Sequence, residues 1–192
     1  MSEFQIILAA VTLFLIFKVY TYIQNMDPDA QKTNPFSGMT KGPDADDLVK
    51  KADIAFEYGD TKKAQTHLES AAALRPDDAE IIGKLAFMQA QNGLADTAID
   101  TYRRAIALDK HDDRLHSALA SLYRAKNMPQ EARNHYEKAL AIDPEYSVTC
   151  YNYGNLLQDM GDTEKAREMY GKALELDPDF SEAATELEKL KS

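Results

Sequence analysis

A period of 34 residues runs through about three quarters of this chain and limits it to one kind of architecture. Between residues 147 and 180, Tyr151, Gly154, Leu157, Gly161, Ala166, Tyr170, Ala173 and Pro178 stand at fixed offsets. A step of 34 residues back carries Ala166, Tyr170, Ala173 and Pro178 onto Ala132, Tyr136, Ala139 and Pro144. The next step gives Ala98, Tyr102 and Ala105, and a third gives Ala64, Leu68, Ala71 and Pro76, all without a gap. A unit this short cannot bury its own apolar face. It has to bury that face on its neighbours, which is the arrangement of stacked helix pairs. The recurring alanines mark where two helices cross closely, since a longer side chain there overpacks the crossing by roughly 1–3 kcal/mol.

The spacing of these residues resembles the tetratricopeptide repeat (TPR) over residues 45–192. The resemblance implies an all-α, right-handed superhelical solenoid of helix-turn-helix repeats, with units at 45–78, 79–112, 113–146 and 147–180. In the first unit, helices are expected over 45–58 and 61–74, with Gly59 making the turn and Asp60 the amino-terminal cap. Lys51 stands where the pattern wants Leu, so Leu48, Ala52, Ala55 and Phe56 are left to pack that helix. Lys110 replaces the proline that ends the other second helices, and a looser junction is expected there. Asn127 takes the place of the turn glycine, which its tolerance of a left-handed backbone permits. Pro129 falls in a first helical turn, where proline is accepted. Cys150 occupies a position at which the family usually has a large aromatic, and it reads as a small buried hydrophobe. After Pro178, Ala183, Leu187 and Leu190 share one face of a helix over 181–191, wet on its other side, as a terminal cap must be.

The amino-terminal residues follow a different pattern. Residues 4–23 hold twenty residues with a single charge, Lys18. A helix of that length spans roughly 30 Å, the hydrocarbon thickness of a bilayer. Tyr20 and Tyr22 have the amphipathic rings favoured at a membrane interface, and Lys18 can snorkel toward it. The segment therefore predicts a transmembrane anchor, followed by a flexible linker over 24–44 that is mixed in Pro, Gly, Asn and Ser. Lys18 and Lys32 after the segment, against no Lys or Arg before it, predict a single-pass protein of a bacterial-type cytoplasmic (inner) membrane with its repeats facing the cytoplasm.

Charge narrows the partners. Of 32 acidic and 22 basic residues, 28 and 19 lie in 45–192, which leaves that region at −9. Phosphate binding needs clustered Lys and Arg, so a nucleic-acid partner is not expected. His67, His111, His116 and His135 form no i, i+4 pair and have no cysteine cluster beside them, so no metal is predicted. Cys150, the only cysteine, has no partner for an intramolecular disulfide. No Gly-rich phosphate loop, nucleophile elbow or convergent base appears, and the chain reads as a non-enzyme with no cofactor.

What the resemblance leaves is the concave groove, built by the first helix of each repeat. Phe87, Arg114, Ser117, Ser121, Arg124, Tyr151, Asn152, Asn155 and Gln158 are its candidate peptide-binding residues. The second half is favoured because it gathers Arg114, Arg124, Tyr151, Asn152 and Asn155 with Asp159 the lone acid, whereas the first half presents Asp46, Asp53, Glu57 and Glu80. Amides three residues apart on a helix can pair with an extended main chain. The Lys and Asn clamp of chaperone-binding relatives is not matched, since Val49, Asp53, Gly83 and Phe87 stand in its places. The sequence thus predicts a membrane-anchored adaptor that binds a partner protein or extended peptide, in the manner of an assembly factor for a membrane complex. The alternative is a self-associating structural scaffold at the membrane.

Overall fold

The computed structural model describes residues 44–190 and, ahead of them, Lys18. Asp44–Ser192 forms one compact unit; the other, Met1–Pro43, lies outside the described residues apart from Lys18. Among the described residues there are nine helices and no strand, so the fold is an all-helical solenoid. Four pairs follow one another: α1 (Ala45–Glu57) with α2 (Thr61–Leu74), α3 (Ala79–Gln91) with α4 (Ala95–Leu108), α5 (Asp113–Ala125) with α6 (Pro129–Ile142), and α7 (Ser147–Asp159) with α8 (Thr163–Leu176). A shorter helix, α9 (Ser181–Lys189), closes the array.

Local chemistry explains why the helices start and stop where they do. Each hairpin turn holds a residue in the left-handed region, Gly59, Gly93 and Gly161 at φ 78° to 79° and Asn127 at φ 57°. Side chains satisfy the orphan amides at several helix starts: Asp60 accepts from Lys63 N, Asp78 from Ile81 N and Asp162 from Lys165 N. Pro129 sits in the first turn of α6, where no amide donor is missed.

Packing follows the period. Ala64, Ala98, Ala132 and Ala166 are fully buried, and Tyr102, Tyr136 and Tyr170 are buried beside them. Consecutive helices share their cores. On α3, Ile81, Leu85 and Met88 pack toward α1 and α2, while Ile82 and Ala86 belong to the cluster continued by α4 to α7. Ala183 of α9 closes over Cys150 and Ala173. Burial pushes the Cys150 thiol pKa up, which keeps it protonated and inert.

Three expectations are corrected. Phe56 does not pack the core of the first pair but stands 42% exposed on the surface. The junction at Lys110 is not loose: α4 packs on α5 as closely as α6 packs on α7 across Pro144. The placement of the protein as a single-pass inner-membrane protein is withdrawn, because among the described residues no helix is long and apolar enough to cross a membrane. The anchor expected over 4–23 and the linker expected over 24–44 lie outside the described residues, Lys18 and Asp44 excepted.

Candidate functional site

The first helices α3, α5 and α7 approach one another more closely than any two second helices do. A stack that is tighter on one side curves toward that side, so the first helices line a concave groove. Its two halves use the same repeat positions with different chemistry.

In the first half the groove is open and apolar. Phe56 of α1 and Phe87 of α3 meet edge to face, with ring centroids 5.7 Å apart and planes at 74°. Burial of large aromatic surface is what usually holds such rings inside, yet Phe87 remains 39% exposed. Two adjoining cavities, of about 240 and 220 Å³, share Phe87 and Lys84. One continues over Gly83, Leu115 and Ala118 to Arg114; the other runs over Ala52 to Met88. Lys84 reaches Asp53 at 3.0 Å. Gly83 makes room here, since a Cβ at that position would lie 2.6 Å from Leu115 Cδ2. Arg114 grips Asp112 at 2.9 and 3.1 Å. Burial pushes the Asp112 carboxyl up, but the hydrogen bond and charge of Arg114 outweigh it, so the carboxyl titrates below its ordinary range and the pair stays ionised.

In the second half, Arg114 apart, most of the expected ligand groups are bonded within the fold. Ser117 is buried and accepts from Thr149 Oγ1 at 3.0 Å. Ser121 donates to the Ser117 carbonyl at 3.2 Å and lies 2.8 Å from the Tyr136 hydroxyl, whose proton it receives. Arg124 is closed onto Asp159 at 2.5 Å. The Tyr170 hydroxyl lies 2.7 Å from both Asn155 Oδ1 and Gln158 Oε1, so one phenolic proton serves the two amides. Tyr151 packs against Phe180, with centroids 4.9 Å apart, and against Tyr170 at 5.9 Å. Asn152 is half-buried on the same helix. Of the nine candidates, Phe87 and Arg114 line an open cavity, Arg114 while paired with Asp112, and Ser117, Ser121, Arg124, Asn155 and Gln158 are bonded internally.

The sequence reading named Phe87 but missed its contact with Phe56, and it missed a histidine pair. Phe56 and Phe87 stand out only when the repeats are overlaid: where Phe56 stands the other repeats have Ala90, Arg124 and Gln158, and where Phe87 stands they have Asp53, Ser121 and Asn155. His116 of α5 and His135 of α6, nineteen residues apart, bring their Nδ1 atoms within 3.1 Å, a pairing that no short-range spacing reveals. Burial, then the His116, Lys138 and Arg103 charges, push the His135 pKa down to about 4. Among the described residues no three His, Cys, Asp or Glu side chains gather as a metal site.

Comparison with known proteins fixes the family. The tetratricopeptide-repeat model matches residues 55–122 and 123–190, well over half of the chain. This chain belongs to the tetratricopeptide-repeat family. Against curated proteins the sequence has no significant match. Among solved structures, this TPR chain is similar to MamA, with 23% identity over 76% of this chain and 80% of that one and a TM-score of 0.66. It is similar to PilF of Pseudomonas aeruginosa at 23% identity, over 76% of this chain and 67% of that one, with a TM-score of 0.71. The first TPR of Spaghetti (RPAP3), bound to the HSP90 peptide SRMEEVD, matches at 25% identity over 59% of this chain and 90% of that one, with a TM-score of 0.58. The first two likenesses show the shared fold. The family as a whole supplies scaffolds for protein–protein interaction.

Proposed function

We propose that this TPR protein holds an extended segment of a partner protein in the first half of its groove. An apolar side chain of that segment is seated against the Phe56–Phe87 pair, in the cavities beside it, and its flanks run past Lys84 and Arg114. The observation that carries this reading is the exposed Phe56–Phe87 pair at the join of two cavities. Exposed aromatics in a concavity are where binding energy concentrates, and neighbouring contacts serve mainly to exclude water. A similar fold seen holding a short peptide supports the mode of binding. The absence of the Lys and Asn clamp turns the reading away from a carboxyl-terminal chaperone tail and toward an internal apolar anchor. In place of the favoured second half, whose polar groups are bonded internally, the reading assigns the contact to the first half.

The test is selection from a displayed random-peptide library on the full chain, followed by affinity measurements with the enriched peptides. Phe87→Ala is expected to weaken them by about tenfold or more, that is about 1.4 kcal/mol. Peptides that bind the wild type and Phe87→Ala equally well would place the site elsewhere on the array.

A further inference from the structure

A second surface, on the opposite side of the array, carries chemistry that the groove does not explain. Between the second helices α4 and α6 lies an open cleft of about 510 Å³, lined by Arg103, Lys138, the loop residues Lys110 and His111, His116 of α5 and the apolar stripe of Ile106, Ala107, Ala141 and Ile142. No acid lines it, although the repeat region is strongly acidic overall. Of the nearby carboxylates, Asp100 is on Arg103 at 3.1 Å, Asp109 on the His111 amide at 2.9 Å and Asp112 on Arg114, while Asp113 lies near enough to act on His116. Of these only Asp100 offsets a lining cation. Among the described residues neither Lys110 nor Lys138 takes part in a short ion pair, and both are exposed.

The cleft is also where the repeat pattern is broken. At the position of Arg103 the other repeats have Glu69, Glu137 and Gly171; at Lys110 they have Pro76, Pro144 and Pro178; at His111 they have Asp77, Glu145 and Asp179. His116 replaces Leu48, Ile82 and Cys150. Four departures, three in the second repeat and one in the third, each toward a basic residue, converge on one cavity. The lysine at 110 is not needed for stacking, because α4 and α5 pack as α6 and α7 do across Pro144. Arg103 is held over the cleft wall by the Tyr123 hydroxyl, which accepts from its Nη2 at 2.7 Å and its Nε at 3.1 Å. A cation fixed in this way loses little entropy when it meets a carboxylate.

We infer that the α4–α6 cleft is a docking surface for an acidic amphipathic helix of a partner protein, independent of the concave groove. The apolar stripe matches the apolar face of such a helix, and the cations on both walls match carboxylates that flank it. Charge complementarity of this kind steers association and discriminates partners. The spread of the cations along an apolar floor, rather than around one point, distinguishes the surface from a phosphate pocket.

The probe is a synthetic helical peptide with leucines at i, i+3, i+4 and i+7 and glutamates on the flanks. Its controls are a version with glutamine for glutamate, a scramble of the same composition, and polyglutamate. With the full chain, the acidic amphipathic peptide is expected to bind and to shift the methyl signals of Ile106 and Ile142, leaving Ile54 and Ile81 in place. The double variant Lys110→Glu, Lys138→Glu, shown by circular dichroism to be folded, is expected to weaken binding by about tenfold or more, while Phe87→Ala leaves it within about twofold. Lys110→Pro, which installs the residue of the other three repeats, is expected to weaken it as well. Absence of binding, equal binding of the scramble or of polyglutamate, shifts confined to the groove, or affinity unchanged in both lysine variants would each overturn the inference. Loss of peptide selection by the groove with this binding intact would strike the groove reading alone.

Discussion

The two halves of the groove are built from the same positions of the same repeat, yet one is open and the other is sewn shut. Where the first half presents Phe87, the fourth repeat places Asn155, and where it presents Phe56, the fourth places Gln158; both of these amides are bonded to Tyr170. Phenylalanine has no hydrogen bond to offer the underlying helix, so it can only be left to solvent or covered by a partner. Asparagine and glutamine above a buried tyrosine satisfy its hydroxyl and join the fold. A polar residue in a binding groove is therefore a weaker sign of a ligand contact than an apolar one, because the array can use it internally.

The sharpest way to break this comparison is to substitute the glycines beneath each half. A Cβ on Gly154 would lie 2.6 and 2.8 Å from the Tyr170 ring, which is itself buried and held through its hydroxyl. Gly154→Ala is expected to destabilise the protein by about 2–3 kcal/mol, the upper part of the range for overpacking. Gly83→Ala meets only the end of Leu115, a flexible side chain beside a cavity, and should cost less than about 1 kcal/mol. Urea melts of both variants decide the matter, and equal shifts in midpoint would mean that the first half is packed as rigidly as the second.

Acidification should act on the joint between the halves, since α5 belongs to both. The neutral His135 is favoured in the fold by burial and by the facing His116, Lys138 and Arg103. Its folded pKa of about 4 is below the unfolded value of about 6.5, so stability is complete above the unfolded value and is lost as pH falls toward 4. The loss is expected to reach about 1–3 kcal/mol. His135→Phe should flatten the dependence between pH 7 and 4, as read from melts at each pH; an unchanged slope would assign it to other groups.

Smaller effects sharpen the contrast. Tyr170→Phe removes the hydroxyl shared by Asn155 and Gln158 and is expected to cost about 1 kcal/mol of stability without changing peptide affinity. Asn155→Ala should leave the affinity of groove-binding peptides within about twofold, roughly 0.4 kcal/mol. Isothermal titration of both variants checks the pair, and a tenfold loss in Asn155→Ala would reopen the second half as the site.

Much of the fold is legible in the sequence because it follows from short-range rules. The 34-residue period, the alanines that are fully buried in every second helix, the tyrosines beside them, and the turn residues at positive φ are each stated by local composition. Asp60 announces a helix start for the same reason, and Asp78 and Asp162 cap theirs in the same way. The groove was legible as a set of positions, and of the candidates named within it Phe87 and Arg114 line an open cavity. The packing of Phe56 was misread, because residues on α1 and α3 decide whether that ring is covered, and the sequence of α1 alone does not contain them.

What only the tertiary structure decided is which side chain takes which partner. Thr149 donates to Ser117 from 32 residues away, Arg124 pairs with Asp159 across 35, and His116 meets His135 across 19. The period determined that such residues would lie near one another, since stacking brings equivalent positions of successive repeats together. It did not determine whether two neighbours would bond or leave a gap, because that turns on tenths of an ångström in the helix crossings and on the size of residues such as Gly83 that set them. The sequence by itself made this protein a stack of helix pairs, and the crossings decided that its groove opens at Phe56 and Phe87.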